Sequence, residues 1–227
     1  MALRALLRRT AFVGILACLP LSGMRAAEPT AADLARALQQ KYSTIRDFSA
    51  DFVQEYQGGV LKKRIVERGS LFVKKPGKWR WDYKSPEKKQ FVCDGAIMFQ
   101  YYPTDRQVFM GPAPRDEDAT TPVLFLAGKG DLTRDFTATL IPPPPNMPAG
   151  SIALKLAPKT PQPDYDWLTL VVDPATKALR GLVTVDAQGG TSSFTFTNLK
   201  ENIGVSDKTF FFPIPNGVAV ISDSPRR

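Results

Sequence analysis

Residues 78–83 read Lys78-Trp79-Arg80-Trp81-Asp82-Tyr83, and their alternation decides the fold class. Side chains of a β-strand leave the backbone on opposite faces at a period of two. Trp79, Trp81 and Tyr83 therefore share one face, and Lys78, Arg80 and Asp82 share the other. The segment reads as a strand with one wet side and one very apolar side. Upstream, Phe48, Ala50 and Phe52 keep the same period, as do Leu71 and Val73 with Phe72 on the opposite face. Downstream, residues 90–93 and 96–102 flank Asp94-Gly95, a strong two-residue hairpin signal. Pro103-Thr104-Asp105 then turns the chain into residues 106–110.

The second half repeats the pattern. Strands are predicted over 136–141, 151–157, 166–172, 179–186 and 192–199, with Asp173-Pro174 and Gly189-Gly190 as the sharpest turns between them. The loop 142–150 opens with four consecutive prolines, Pro142 to Pro145, which cannot join a sheet. Many strands and few helices predict one large antiparallel sheet that curls.

Two helices interrupt this pattern. Thr30 to Asp47 reads as amphipathic, with Thr30 as cap, Asp33 three residues on, and Leu34, Leu38, Tyr42 and Ile45 at helical spacing. A polar loop over 111–121 leads to the second. There Thr121 stands at the cap, Pro122 at the first helical position and Gly128 just past the end. Its body, Val123-Leu124-Phe125-Leu126-Ala127, is apolar on every side and must be covered on more than one face. Residues 131–135 offer a further helical turn. Either helix can be ordinary packing on a sheet or a lid over it.

The first 27 residues read as a secretory signal peptide. Arg4, Arg8 and Arg9 make a basic start, 11–23 is mostly apolar, and Ala26 and Ala27 are small. The apolar run is too short to anchor the chain permanently. The mature protein is expected to start near Ala27 or Glu28 and to form a single domain over 28–227, which places it in the periplasm. Ile15-Leu16-Ala17-Cys18 also loosely resembles the box before a lipid-modified cysteine, which leaves a membrane-anchored form open. Loss of Arg4, Arg8, Arg9 and Arg25 with the leader takes the formal charge from +8 to +4. The remaining basic residues concentrate between Lys62 and Lys89, either as solubilising edge charges or as a docking face for acidic partners or anionic lipid headgroups.

Residue types narrow the chemistry. The chain has no histidine, which removes Ser-His-Asp and Cys-His catalysis and the common zinc sites. Two cysteines are present, and loss of Cys18 leaves Cys93 alone, so no intramolecular disulfide forms. Cys93 lies in an apolar run and reads as a small buried hydrophobe. No catalytic motif, cofactor site or metal site is recognised, and the chain is not expected to be an enzyme. Nucleic acid is also an unsuitable partner. Single strands need aromatics and cations in one groove, and residues 78–83 place them on opposite faces.

Taken in order, these segments resemble the outer-membrane lipoprotein carriers (LolA). The resemblance rests on Asp47-Phe48-Ser49-Ala50-Asp51-Phe52-Val53-Gln54 after a first helix, then Gly69-Ser70-Leu71-Phe72-Val73-Lys74-Lys75-Pro76, then Trp79 to Tyr83. It continues through Asp94-Gly95, Phe99-Gln100-Tyr101 and Thr121 to Leu126, and ends at Phe210-Phe211-Phe212-Pro213 and Asn216-Gly217-Val218. It implies an unclosed, strongly curved antiparallel β-barrel, a half-barrel, covered by a short helical lid around an apolar cavity. Trp79, Trp81 and Tyr83 would face the cavity, and Leu34, Leu38, Val123, Leu124, Phe125 and Leu126 would form the lid. The implied function is that of a monomeric chaperone that binds lipoprotein acyl chains and moves them from inner to outer membrane. Its partners would be the lipoproteins, an inner-membrane lipoprotein-releasing transporter and, where one exists, an outer-membrane receptor. The alternatives are a receptor relative lipidated on Cys18, a lipid-sensing envelope regulatory domain on the same fold, and a hydrolase with an unrecognised site.

One position departs from the family pattern. The family usually carries an arginine before the proline of its third strand, where it holds the lid. This chain has Lys75 before Pro76, and lysine is one flexible donor where arginine is a planar fork. Lys75 is the candidate latch, and Arg80 could replace it only if its strand bulged.

Overall fold

A computed structural model describes residues 30–58, 63–114, 130–161, 165–186 and 188–222. The signal peptide with Cys18, the start of the basic run at Lys62, and the apolar segment Val123, Leu124, Phe125 and Leu126 lie outside the described residues.

The first helix, α1 (Ala31–Thr44), starts where the sequence places it. Asp33 N–H donates to Thr30 Oγ1 at 3.2 Å, and Thr30 N–H donates back to Asp33 Oδ2 at 3.1 Å, a reciprocal cap. The helix ends before the predicted Asp47. Ile45 has an extended backbone, the Arg46 N–H donates to Asn202 Oδ1 at 2.8 Å, and the Arg46 carbonyl accepts from Lys75 N–H at 2.8 Å. Sheet partners thus claim the chain before another helical turn can form.

Twelve strands follow among the described residues: β1 (Asp47–Gln57), β2 (Arg64–Lys74), β3 (Lys78–Ser85), β4 (Lys89–Asp94), β5 (Ile97–Tyr102), β6 (Gln107–Pro112), β7 (Phe136–Ile141), β8 (Ile152–Pro158), β9 (Trp167–Val172), β10 (Leu179–Val185), β11 (Thr191–Glu201) and β12 (Ala219–Ser222). They form one curved sheet in the order β12-β6-β5-β4-β3-β2-β1-β11-β10-β9-β8-β7. Two meanders meet at the β1–β11 pair, and the sheet does not close on itself. A short helix, α2 (Leu132–Asp135), is capped by Asp131 and leads into β7.

Two features differ from the sequence reading. β6 extends through Gly111 and Pro112, which the sequence assigns to a loop, because Gly111 pairs with Met98 and Pro112 with Ile97. The last strand, β12, lies parallel to β6, with Ala219 opposite Gln107 and Ser222 opposite Met110, so the sheet is not antiparallel throughout. Four exposed residues next to Pro- and Gly-containing segments carry too weak an alternation to read as a strand.

The sheet's inner face and α1 share one apolar cluster. Phe48, Ala50 and Phe52 of β1, Leu71 and Val73 of β2, and Trp79, Trp81 and Tyr83 of β3 belong to it with Leu34, Leu38 and Tyr42 of α1. Gly69 makes room at the centre: a Cβ there would lie 2.7 Å from the Phe52 ring and 2.1 Å from the Asp82 carbonyl. Among the described residues, two loops pack on parts of the outer face. Met147 of the proline-rich loop packs with Ala153, Val171 and Val183. Phe212, near the C-terminus, packs with Val92, Phe99 and Val108.

Candidate functional site

The inner face is dry at one end and polar at the other. Along β1 the inward residues run Phe48, Ala50, Phe52, Gln54 and Tyr56, the first three buried and the last two half-buried. β3 supplies Trp79, Trp81 and Tyr83, which are 7%, 4% and 7% exposed, so all three are interior groups. The Trp81 ring lies 4.9 Å from Phe52 and 5.2 Å from Phe194, and Phe194 stacks on Phe196 at 6.2 Å. Such ring pairs add about 0.5–1.5 kcal/mol each beyond their area burial. The indole N–H of Trp79 is buried without a hydrogen-bond acceptor among the described residues. This aromatic set is the one the alternation at 78–83 singles out.

Helix α1 roofs the dry part. Leu34 and Leu38 are almost wholly buried in the shared cluster. Among the described residues, polar contacts of three side chains, Gln39, Lys41 and Lys75, tie the helix down. Gln39 Oε1 accepts from the Leu132 N–H at 2.9 Å, which joins α1 to α2. Lys41 reaches Glu201 at 2.8 Å and the Thr176 carbonyl at 3.2 Å. The third contact comes from Lys75, between β2 and β3, whose ammonium donates to the Tyr42 carbonyl in the last turn of α1. Half-burial holds the Lys75 pKa below its ordinary value, since leaving water disfavours the charged form.

The Lys75 side chain, before Pro76, thus contacts the last turn of α1. Arg80 does not share this role. Its strand stays in register with β4, Arg80 opposite Val92, and its side chain points outward. There it pairs with Asp82 at 2.9 Å and donates to the Thr209 carbonyl at 3.1 Å, fastening the 3-10 turn over 207–210. Lys74 and Lys78 pair with Asp207 at 3.1 and 2.8 Å. Lys74, Lys78 and Arg80 of the basic run thus hold the C-terminal segment against the outer face. The sequence shows those lysines but not their acidic partner, which lies more than a hundred residues away.

Sequence reasoning also missed a polar group on the inner face. Lys89 lies 2.7 Å from Glu67 Oε1 and 3.0 Å from Oε2, with its ammonium 4.3 Å from the Tyr83 ring centroid. Tyr83 donates to Gln54 Oε1 at 2.8 Å, and Gln54 Nε2 donates to Ser192 at 2.9 Å. Burial, then the nearby charge of Glu67, raises the Tyr83 pKa well above its ordinary value. Period-two counting could have placed Gln54, Glu67 and Lys89 inward, but only strand pairing brings them together. Cys93 is buried at the dry end, beside Trp79 in register. Among the described residues no group of three or more acidic or cysteine side chains is placed to hold a metal ion.

An unclosed sheet with an aromatic inner face under a helix defines the structural class as a half-barrel. The family described as outer membrane lipoprotein carrier protein LolA matches residues 43–213, and the chain belongs to this family. An outer-membrane lipoprotein carrier protein from Methylococcus capsulatus is 27% identical over 186 residues, covering 82% of this chain and 86% of the relative. Another from Chromohalobacter salexigens is 27% identical over 191 residues, covering 83% and 87%. Among solved structures, an uncharacterized conserved protein from Thermus thermophilus has a TM-score of 0.50 at 12% identity, covering 84% of this chain and 98% of that one. That likeness shows a shared fold.

Proposed function

We propose that this chain is a periplasmic carrier that takes up the acyl chains of lipoproteins between α1 and the inner aromatic face, and delivers them to the outer membrane. The observation that carries the reading is the single apolar cluster shared by Leu34, Leu38, Trp79, Trp81 and Phe196. Its helical side is attached by separable polar contacts, while its sheet side is one continuous hydrogen-bonded frame. Acyl chains can replace the helix's apolar side chains on the aromatic floor without exposing that floor to water. Each buried methylene contributes about 0.8 kcal/mol, so a lipid with several long chains has ample free energy to displace a short helix.

Binding of this kind requires no bond to be made or broken, which suits a chain without histidine. The lid role of Leu34 and Leu38 and the latch role of Lys75 belong to this proposal. So do the signal peptide, a monomeric mature domain over 28–227, and hand-over from an inner-membrane transporter to an outer-membrane acceptor. The curated relatives from Methylococcus capsulatus and Chromohalobacter salexigens, both carriers, support it.

The test is uptake of an environment-sensitive fluorescent fatty acid, followed by transfer of a labelled lipoprotein between donor and acceptor vesicles. The unaltered protein should show a blue-shifted, saturable signal that the lipoprotein displaces. Trp81→Phe, a substitution gentle enough to keep the core, should weaken binding. Absence of any signal from the unaltered protein sinks the reading.

A further inference from the structure

The half-buried polar group on the inner face is placed like the head-group end of an amphiphile site. Gln54 and Glu67 face each other directly across β1 and β2, and Tyr83 and Lys89 do so across β3 and β4. With Ser192 of β11 they form one connected layer across the sheet, immediately beyond Phe52, Trp81 and Phe194. On the dry side of this layer the inward residues of β1 and β2 are buried; on its far side Tyr56 and Ile65 are half-buried.

Hydrogen-bonding capacity gives the layer its selectivity. Both Glu67 oxygens accept from the Lys89 ammonium. Gln54 Oε1 accepts from the Tyr83 hydroxyl, and Ser192 Oγ accepts from one Gln54 N–H. The hydrogens left to donate in this layer, among the described residues, are the second Gln54 N–H, the Ser192 hydroxyl hydrogen and an ammonium hydrogen of Lys89. Ester carbonyls are acceptors only, and in a two-chain glycerolipid they sit where the apolar tails begin.

We propose that Gln54, Ser192 and Lys89 read the ester carbonyls of the bound lipid, so that its chains lie on the aromatic floor and its glycerol backbone rests at this layer. Glu67 and Tyr83 are positioning residues that hold Lys89 and Gln54 in place. The proposal rests on the carrier reading and adds a preference that bare apolar burial lacks. An alkyl chain needs only the floor, whereas an ester-linked lipid also satisfies donors that would otherwise lose water without replacement.

The experiment compares two lipids with identical chains, a diacylglycerol and its dialkyl ether analogue, for binding to the intact mature protein. The diester should bind about tenfold more tightly, the value of one to two net hydrogen bonds. Gln54→Leu combined with Ser192→Ala should lower the ester-to-ether ratio to the part that Lys89 alone supplies, and an unchanged ratio overturns the layer. Ser192→Ala alone, which removes a single oxygen, should lower the ratio by about threefold even if the double variant folds poorly. Equal binding of the two lipids by the unaltered protein overturns the layer and leaves the carrier reading standing. Binding of neither overturns both.

Discussion

The Lys75 ammonium donates to the backbone carbonyl of Tyr42, which joins the turn after β2 to the last turn of the roofing helix. The bond supplies a donor at the end of the helix, where intrahelical donors run out, and it puts positive charge at the negative end of the helix dipole. Lys75→Met should remove both effects while keeping the apolar stem. A charge-assisted hydrogen bond of about 1.5 kcal/mol corresponds to roughly a tenfold rise in the open population of α1. Amide exchange over residues 38–44 reports that opening, and rates equal to those of the unaltered protein would show that the helix is held elsewhere. Lys75→Arg should slow exchange, since a planar fork can engage more than one carbonyl.

Gly69 should not tolerate a side chain. An added Cβ would meet the Phe52 ring and the Asp82 carbonyl well inside van der Waals contact. Gly69→Ala should therefore cost about 1–3 kcal/mol. Urea denaturation gives the difference, and a cost below about 0.5 kcal/mol would mean that the β1–β3 packing yields more easily than its register suggests.

The cap of α1 rests largely on one hydroxyl, Thr30 Oγ1. Thr30→Ala should cost about 1 kcal/mol of helix stability, and Thr30→Ser should cost little. Exchange protection over residues 31–36 distinguishes the two. No loss in either variant would assign the cap to Asp33 alone, and equal loss in both would assign it to the threonine methyl group.

Stability should fall on the alkaline side and stay level near neutrality. Tyr42 and Tyr83 have their pKa values raised, each chiefly by burial, above the ordinary 10.0. The unfolded chain therefore loses these protons first. Their contribution is complete below pH 10 and is lost as pH climbs from there towards the raised folded values. With no histidine, nothing of that type titrates between pH 5 and 8. Tyr42→Phe should flatten the decline in melting temperature above pH 10, and an unchanged slope would count against its burial as the cause.

The sheet and its inner aromatics were legible because period two is a local signal, written within six residues at 78–83. The helix start at Thr30 was equally legible, since a capping box is complete within four. The Lys75 contact could be named only through family resemblance, because nothing around Lys75 specifies Tyr42 as its acceptor. The polar layer was hidden for a related reason: Gln54, Glu67, Lys89 and Ser192 lie on four strands, and only their registers make them neighbours. The end of α1 was placed too late because Ile45 continues the helical spacing while its backbone already follows sheet partners.

The path of residues 202–222 has a consequence for the order of assembly. This segment leaves β11, packs against the outer face and finishes beside β6, where Ala219 pairs with Gln107. Contacts so distant in sequence form slowly, because a long loop must close before they add stability. Until the last part of the chain arrives, Val92, Phe99 and Val108 lack the cover of Phe212. A molecule made or delivered N-terminus first thus passes through a stage with its aromatic floor built and its back uncovered. The strap of 202–222 is the element that ends this vulnerable interval.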